Sequence, residues 1–124
     1  MSKTYFHDLL GRKWQVQLDA KNLDEIKTQF GVNLSSLVNE PAWLVAAMCT
    51  PKAMLVVLLS LSIGFQAVKR KIDPKDFGDS ILKDGPTYLA ARFTLMHSLA
   101  ELYPSSRLAR ILKAEEIPES FLKC

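Results

Sequence analysis

The chain has 124 residues, 48% of them hydrophobic and 23% charged, and its 16 Lys and Arg against 13 Asp and Glu leave a formal charge of +3. That suits one globular domain able to bury a core without disulfides or metal clips, and a net charge this small, with both signs spread along the chain, does not demand a nucleic-acid partner, which usually meets a concentrated basic face. Two His, two Cys and no Gly-rich loop leave little chemistry from which to build an enzyme.

The first twenty residues have the period of a strand. Trp14, Val16 and Leu18 alternate with Gln15, Gln17 and Asp19, so one face is apolar and the other wet. Thr4-Tyr5-Phe6 is rich in strand formers, and Gly11-Arg12 supplies a turn, which predicts an antiparallel hairpin. An isolated hairpin is marginal in water, so its Trp14 face must lie on the helices that follow.

From Asn22 the period changes to that of a helix. Asn22 with Glu25 reads as a cap and its box partner, Leu23, Ile26 and Phe30 share one side, and Gly31 stops the turn. Asn33 caps Leu34 to Val38, Pro41 opens Ala42 to Cys49, and Thr50-Pro51 opens a long helix through about Val68. Asp73 caps and Pro74 opens a helix carrying Phe77, Ile81 and Leu82 inward. After Asp84-Gly85-Pro86 the residues Leu89, Phe93, Met96, Leu99 or Ala100, and Tyr103 trace a core stripe, and Ser105 or Ser106 caps a last helix with Leu108, Ile111 and Leu112.

These readings give an α+β fold, mostly α: a single domain over 1–124, with an N-terminal β-hairpin (1–20) packed on a bundle of about five to seven short helices (21–117) and a tail (118–124). Ala53 to Val68 carries no formal charge and is followed by Lys69-Arg70-Lys71. It is shorter than the roughly 20 apolar residues that cross a bilayer, so a buried central helix is expected in place of a span. Cys49 and Cys124 read as free thiols suited to a reducing cytoplasm, and the polar amino terminus is not that of an export signal.

Three constellations invite a functional reading. Asp73, Asp76 and Asp79 could line one helix flank as metal ligands, but the segment starts with a cap and a helical Pro, and acidic residues there complement the helix dipole. His97 and His7 have no second ligand at zinc spacing, and His97 lacks a nucleophile and orienting carboxylate. Catalytic, cofactor-binding and metal-ligating residues are therefore expected to be absent. Arg107, Arg110 and Lys113 form a basic stripe on the last helix, either a solvated face or a contact for an acidic partner. Trp43 is either a core residue or an interface anchor, and Phe121 could dock on a neighbouring molecule or on another copy. Trp43, Arg107, Arg110, Lys113 and Phe121 are thus the candidate partner-binding residues.

Several phrases taken in order resemble the tail assembly chaperone-like proteins of long-tailed bacteriophages and prophages. They are Gly11-Arg12-Lys13-Trp14-Gln15-Val16 with Leu18, Leu23 and Ile26 leading to Gly31-Val32-Asn33-Leu34, a long apolar helix, Asp76-Phe77-Gly78, Asp84-Gly85, and Leu102-Tyr103-Pro104-Ser105-Ser106-Arg107. Gln66-Ala67-Val68-Lys69-Arg70-Lys71 departs from that pattern in being basic where the family is acidic. The resemblance implies a non-enzymatic protein of the host cytoplasm. It would coat the tape measure protein until tail tube subunits polymerise, with possible self-association and no nucleic-acid, membrane or cofactor partner. The rival expectations are a structural tail or neck component of the virion and a small holin-like membrane protein.

Overall fold

The computed structural model describes residues 4–123. Strand β1 (Tyr5–His7) pairs antiparallel with β2 (Lys13–Gln15), with Phe6 opposite Trp14. The pairing reaches one step further, since the Val16 N–H donates to the Thr4 carbonyl at 2.7 Å. Phe6, Trp14 and Val16 are all buried, so the alternation puts its apolar face inward as the period of two requires. Leu18 packs against the core from beyond the strand.

The connection between the strands is built on Asp8. Its carboxylate accepts from the backbone N–H groups of Leu10 (2.9 Å) and Arg12 (3.0 Å), from Arg12 Nε (2.6 Å) and from Trp14 Nε1 (2.9 Å). Burial alone would push this carboxyl up. The bonds from Trp14 and from the Arg12 side chain and backbone, with the Arg12 charge, outweigh it and hold the group below its ordinary value.

Eight α-helices follow among the described residues, one more than the upper end of the sequence expectation. Helix α1 (Ala20–Phe30) starts earlier than Asn22: Asp19 is the cap, and Asn22 is its box partner at the third helical position. Their exchange, Asn22 N to Asp19 Oδ1 at 2.9 Å and Asp19 N to Asn22 Oδ1 at 2.8 Å, satisfies two end amides reciprocally, as a Glu or Gln box would. Gly31 ends α1 in left-handed geometry at φ 69°. Helix α2 (Leu34–Leu37) is a single turn, and α3 (Pro41–Cys49) and α4 (Ala53–Ser62) meet at 102°.

The expected long helix through Val68 is broken. Helix α4 stops at Ser62, Gly64 takes φ 63°, and a separate turn, α5 (Gln66–Lys69), follows. The break is fixed by Gln66, whose Oε1 accepts from Gln15 N at 2.9 Å while Nε2 donates to Gln15 O and Ile63 O, each at 2.7 Å. A side-chain amide thereby occupies the edge of β2 that would otherwise lie open. No single helix among the described residues is long and apolar enough to cross a membrane, although the bent pair α3 and α4 passes on length and composition together.

Helices α6 (Pro74–Leu82), α7 (Gly85–Leu102) and α8 (Arg107–Ala114) start on Asp73, Asp84 and Ser106, each accepting a backbone N–H of its first turn. Helix α7 is the central rod, packed against β1, α6 and α8, while α4 packs against α1, α3 and α6. The core runs through Trp14, Ile26, Leu44, Met48, Leu58, Phe77, Leu95 and Leu99. Trp14 meets Phe77 edge-on, with centroids 4.9 Å apart, an arrangement their quadrupoles favour. The inward stripe of α7 is turned from the expected one: Tyr88, Ala91, Arg92, Leu95, Met96 and Leu99 are buried, while Leu89 and Phe93 are half-buried. The chain closes with a 3-10 turn, Glu119–Leu122.

Candidate functional site: an open apolar groove at Trp43

Helix α3, Pro-Ala-Trp-Leu-Val-Ala-Ala-Met-Cys, has no charged or amide side chain in nine residues. A helix apolar all round is ordinarily buried all round, but this one is not. Pro41, Leu44, Val45 and Met48 face the core, while Ala42, Trp43 and Ala46 face out. Trp43 is 69% exposed, so of the two readings its sequence allowed, the core one is excluded.

The outward face of α3 meets the end of α1 and the single turn of α2 in a groove of about 520 Å³, lined by Gly31, Val32, Asn33, Ser36, Leu37, Trp43, Ala46 and Ala47. Its two polar linings are engaged locally. Asn33 Nδ2 donates to Ser36 Oγ at 3.0 Å, and Ser35 Oγ donates to Asn33 Oδ1 at 2.6 Å. What remains for a ligand is a Trp face, two branched side chains and a floor of two alanines. Small residues let a partner's backbone approach closely, and a rigid aromatic at the rim supplies area at little entropic cost. No ionisable side chain lines the groove.

The other sequence candidates lie elsewhere. Arg107, Arg110 and Lys113 are exposed on α8. The Arg107 N–H donates to Asn39 Oδ1 at 3.0 Å and Leu108 N to Val38 O at 2.9 Å, which ties the start of α8 to the α2–α3 connection, but none of the three cations lines the groove. Phe121 is 2% exposed, covered by its own chain against α3. Among the described residues no group of three or more His, Cys, Asp or Glu side chains is placed to hold a metal. Asp73 caps α6 through the Lys75 N–H, and Asp79 faces Lys83 at 3.6 Å. His97 is half-buried beside a shallow hollow with Glu101 and Lys113.

Two features were outside the sequence reading. Cys49 is disulfide-bonded, which corrects the expectation of a free thiol; Cys124, the other cysteine of the sequence, lies outside the described residues. Arg92, read as nothing in particular, is 1% exposed at the middle of α7. Burial pushes its guanidinium down from the usual arginine value, against the opposing pull of Tyr88, and pushes the Tyr88 hydroxyl up. Compared with protein-family models, curated proteins and solved structures, the chain has no match.

Proposed function

We propose that this protein is a non-enzymatic tail assembly chaperone of a long-tailed phage or prophage, which holds the tape measure protein soluble by taking the apolar face of its helices into the groove beside Trp43. The observation that carries the proposal is the uncovered apolar face of α3, with Trp43 69% exposed next to a lining free of charge. An apolar face left open on a chain this small marks a binding site, and a helix laid in a groove is the mode that such a surface suits. The ordered run of phrases that resembles the tail assembly chaperone-like proteins supplies the client. The basic stripe Arg107, Arg110 and Lys113 offers an acidic flank of the client a second, charged contact.

The test is co-expression with a tape measure protein from the same phage or prophage genome. The proposal predicts that the client stays soluble and copurifies, and that purified virions lack the chaperone. A client that is equally soluble alone would overturn it. Retention of this chain in finished particles would favour the structural tail component instead, and extraction only with detergent would favour the holin-like reading.

A further inference from the structure

The segment that follows α4 is pinned at both ends. Gly64 at φ 63° turns the chain out of α4, and the Gln66 amide ties the start of α5 to Gln15 and Ile63. At the other end the Ile72 N–H donates to the Ala67 carbonyl at 2.9 Å and the Lys71 N–H to the Val68 carbonyl at 3.1 Å, the paired bonds of a Schellman stop with Lys71 at its left-handed position. Within this frame the turn has two sides. Gln66 and Ala67 face the body of the protein, and Arg70 leans over the buried Trp14 ring at 4.7 Å. Phe65, Val68 and Lys69, spaced by three and four residues, share the outer side. Phe65 is 77% exposed there and Val68 71%.

The same turn is charged. Lys69, Arg70 and Lys71 are consecutive and exposed, and none of the three makes an ion pair among the described residues. Lys71 also stands at φ 57°, in the left-handed region where glycine is the ordinary residue and a side chain is strained. A glycine would complete the same stop with less strain, so the fold gives no reason for a lysine. A strained residue where a freer one fits points to a use outside the fold.

We propose that Phe65, Val68 and the run Lys69-Arg70-Lys71 form a docking face for an anionic lipid surface, Phe65 and Val68 entering the interface while the cations meet the headgroups. Exposed apolar side chains beside a basic cluster combine the two signals that together hold a peripheral protein on a membrane, reversibly and with a strong salt dependence. An acidic protein segment would answer the charge but fits the shape less well. A protein partner takes apolar anchors into a pocket of matched form, whereas Phe65 and Val68 stand out from the surface, and a fluid bilayer needs no matching pocket. The inference rests on the segment that departs from the tail assembly chaperone-like pattern, and it depends on neither the client nor the groove at Trp43.

The full-length protein is sedimented at low salt with vesicles of phosphatidylcholine containing about 30% phosphatidylserine, and with phosphatidylcholine vesicles alone. The expected result is binding to the first and not to the second, with release by about 0.5 M NaCl and no detergent. Each cation lost weakens attraction to an anionic surface about fivefold, so Lys69→Gln combined with Lys71→Gln should weaken binding on the order of 25-fold. Phe65→Ser should weaken it about tenfold through lost apolar burial. Lys71→Gly separates docking from a structural role: the urea midpoint should rise as strain is relieved, while vesicle binding drops about fivefold. Equal binding to neutral vesicles, no binding to anionic ones at low salt, or undiminished binding by Lys71→Gly overturns the proposal. Binding of soluble polyglutamate with none to the vesicles would assign the face to an acidic protein segment and overturn it as well.

Discussion

Removing the carboxylate of Asp8 tests the reasoning about the hairpin most sharply. Asp8 is 4% exposed and accepts four hydrogen bonds, one of them from the indole of Trp14, itself fully buried. Asp8→Ala leaves the Trp14 Nε1–H inside the core with no acceptor and strands Arg12 beside it. An orphaned buried donor costs about 1–3 kcal/mol, and the lost hydrogen bond to Arg12, whose side chain stays 26% exposed to water, costs about 1.5–3 kcal/mol, as for bonds to charged groups generally. Because these overlap, the expected loss is about 4 kcal/mol. With an m-value of about 1.5 kcal/mol/M for a domain of this size, the urea midpoint should fall by somewhat over ~2 M. Asp8→Asn keeps one oxygen for the two backbone amides but turns an amide donor towards Arg12 or Trp14, so it should cost about half as much. Equilibrium urea unfolding followed by far-ultraviolet circular dichroism measures both. A loss below about 1 kcal/mol for Asp8→Ala, the ordinary effect of a surface substitution, would refute the argument that this carboxylate organises the hairpin.

Three further outcomes follow from the same structure. The Asp8 carboxyl is held below its ordinary value in the folded state, so its contribution is complete above the unfolded value of about 3.9 and is lost as pH falls below it; acid unfolding of wild type should be steeper below pH ~4 than that of Asp8→Asn. Gly78 lies buried inside α6, and an added Cβ would sit 3.5 Å from Val56 Cγ1, an ordinary contact, so Gly78→Ala should raise stability by about 0.5–1 kcal/mol in chemical denaturation. Reducing the disulfide of Cys49 removes a constraint on the unfolded chain that is typically worth about 2–4 kcal/mol. The melting temperature should then drop by on the order of 15 °C in calorimetry, and a drop under ~3 °C would show that the bond constrains little.

The local parts of the fold were legible in the sequence because short-range chemistry determines them. The alternation around Trp14 and Val16, the Asp73-Pro74 start, the serine cap that the sequence left between Ser105 and Ser106, and the Gly31 stop each depend on neighbours within four residues. What was not legible depends on contacts distant along the chain. Gln66 breaks the apolar run because Gln15, fifty-one residues away, offers it an N–H and a carbonyl. Arg92 sits among apolar α7 positions because its acceptors are Cys49 and the carbonyls of the last residues. The Asp19–Asn22 exchange was misread as an Asn22 cap, since Asn seldom plays the box partner that Glu or Gln plays.

The groove was half visible. Nine residues of α3 without a charged or amide side chain are more apolar than one buried face needs, a signal that could have marked Trp43 as outward-facing. The charge stripe on α8 was visible too, but its distance from the groove lining was not. Phe121, an apolar residue in a short tail, read as a free docking group because the core site that receives it is assembled from α3 and α7.

The claim at the centre of this account is that Trp43 and the alanine floor of α3 grip an apolar helix. Its most direct measurement is the affinity of a purified tape measure fragment for the wild-type protein and for Trp43→Ala, by titration calorimetry, with the unfolding free energy of both measured alongside. Trp43 has about 140 Å² left to bury, worth about 3 kcal/mol, so the account predicts roughly a hundredfold weaker binding and a stability unchanged within about 0.5 kcal/mol. Equal affinity of the two proteins for the fragment would contradict it.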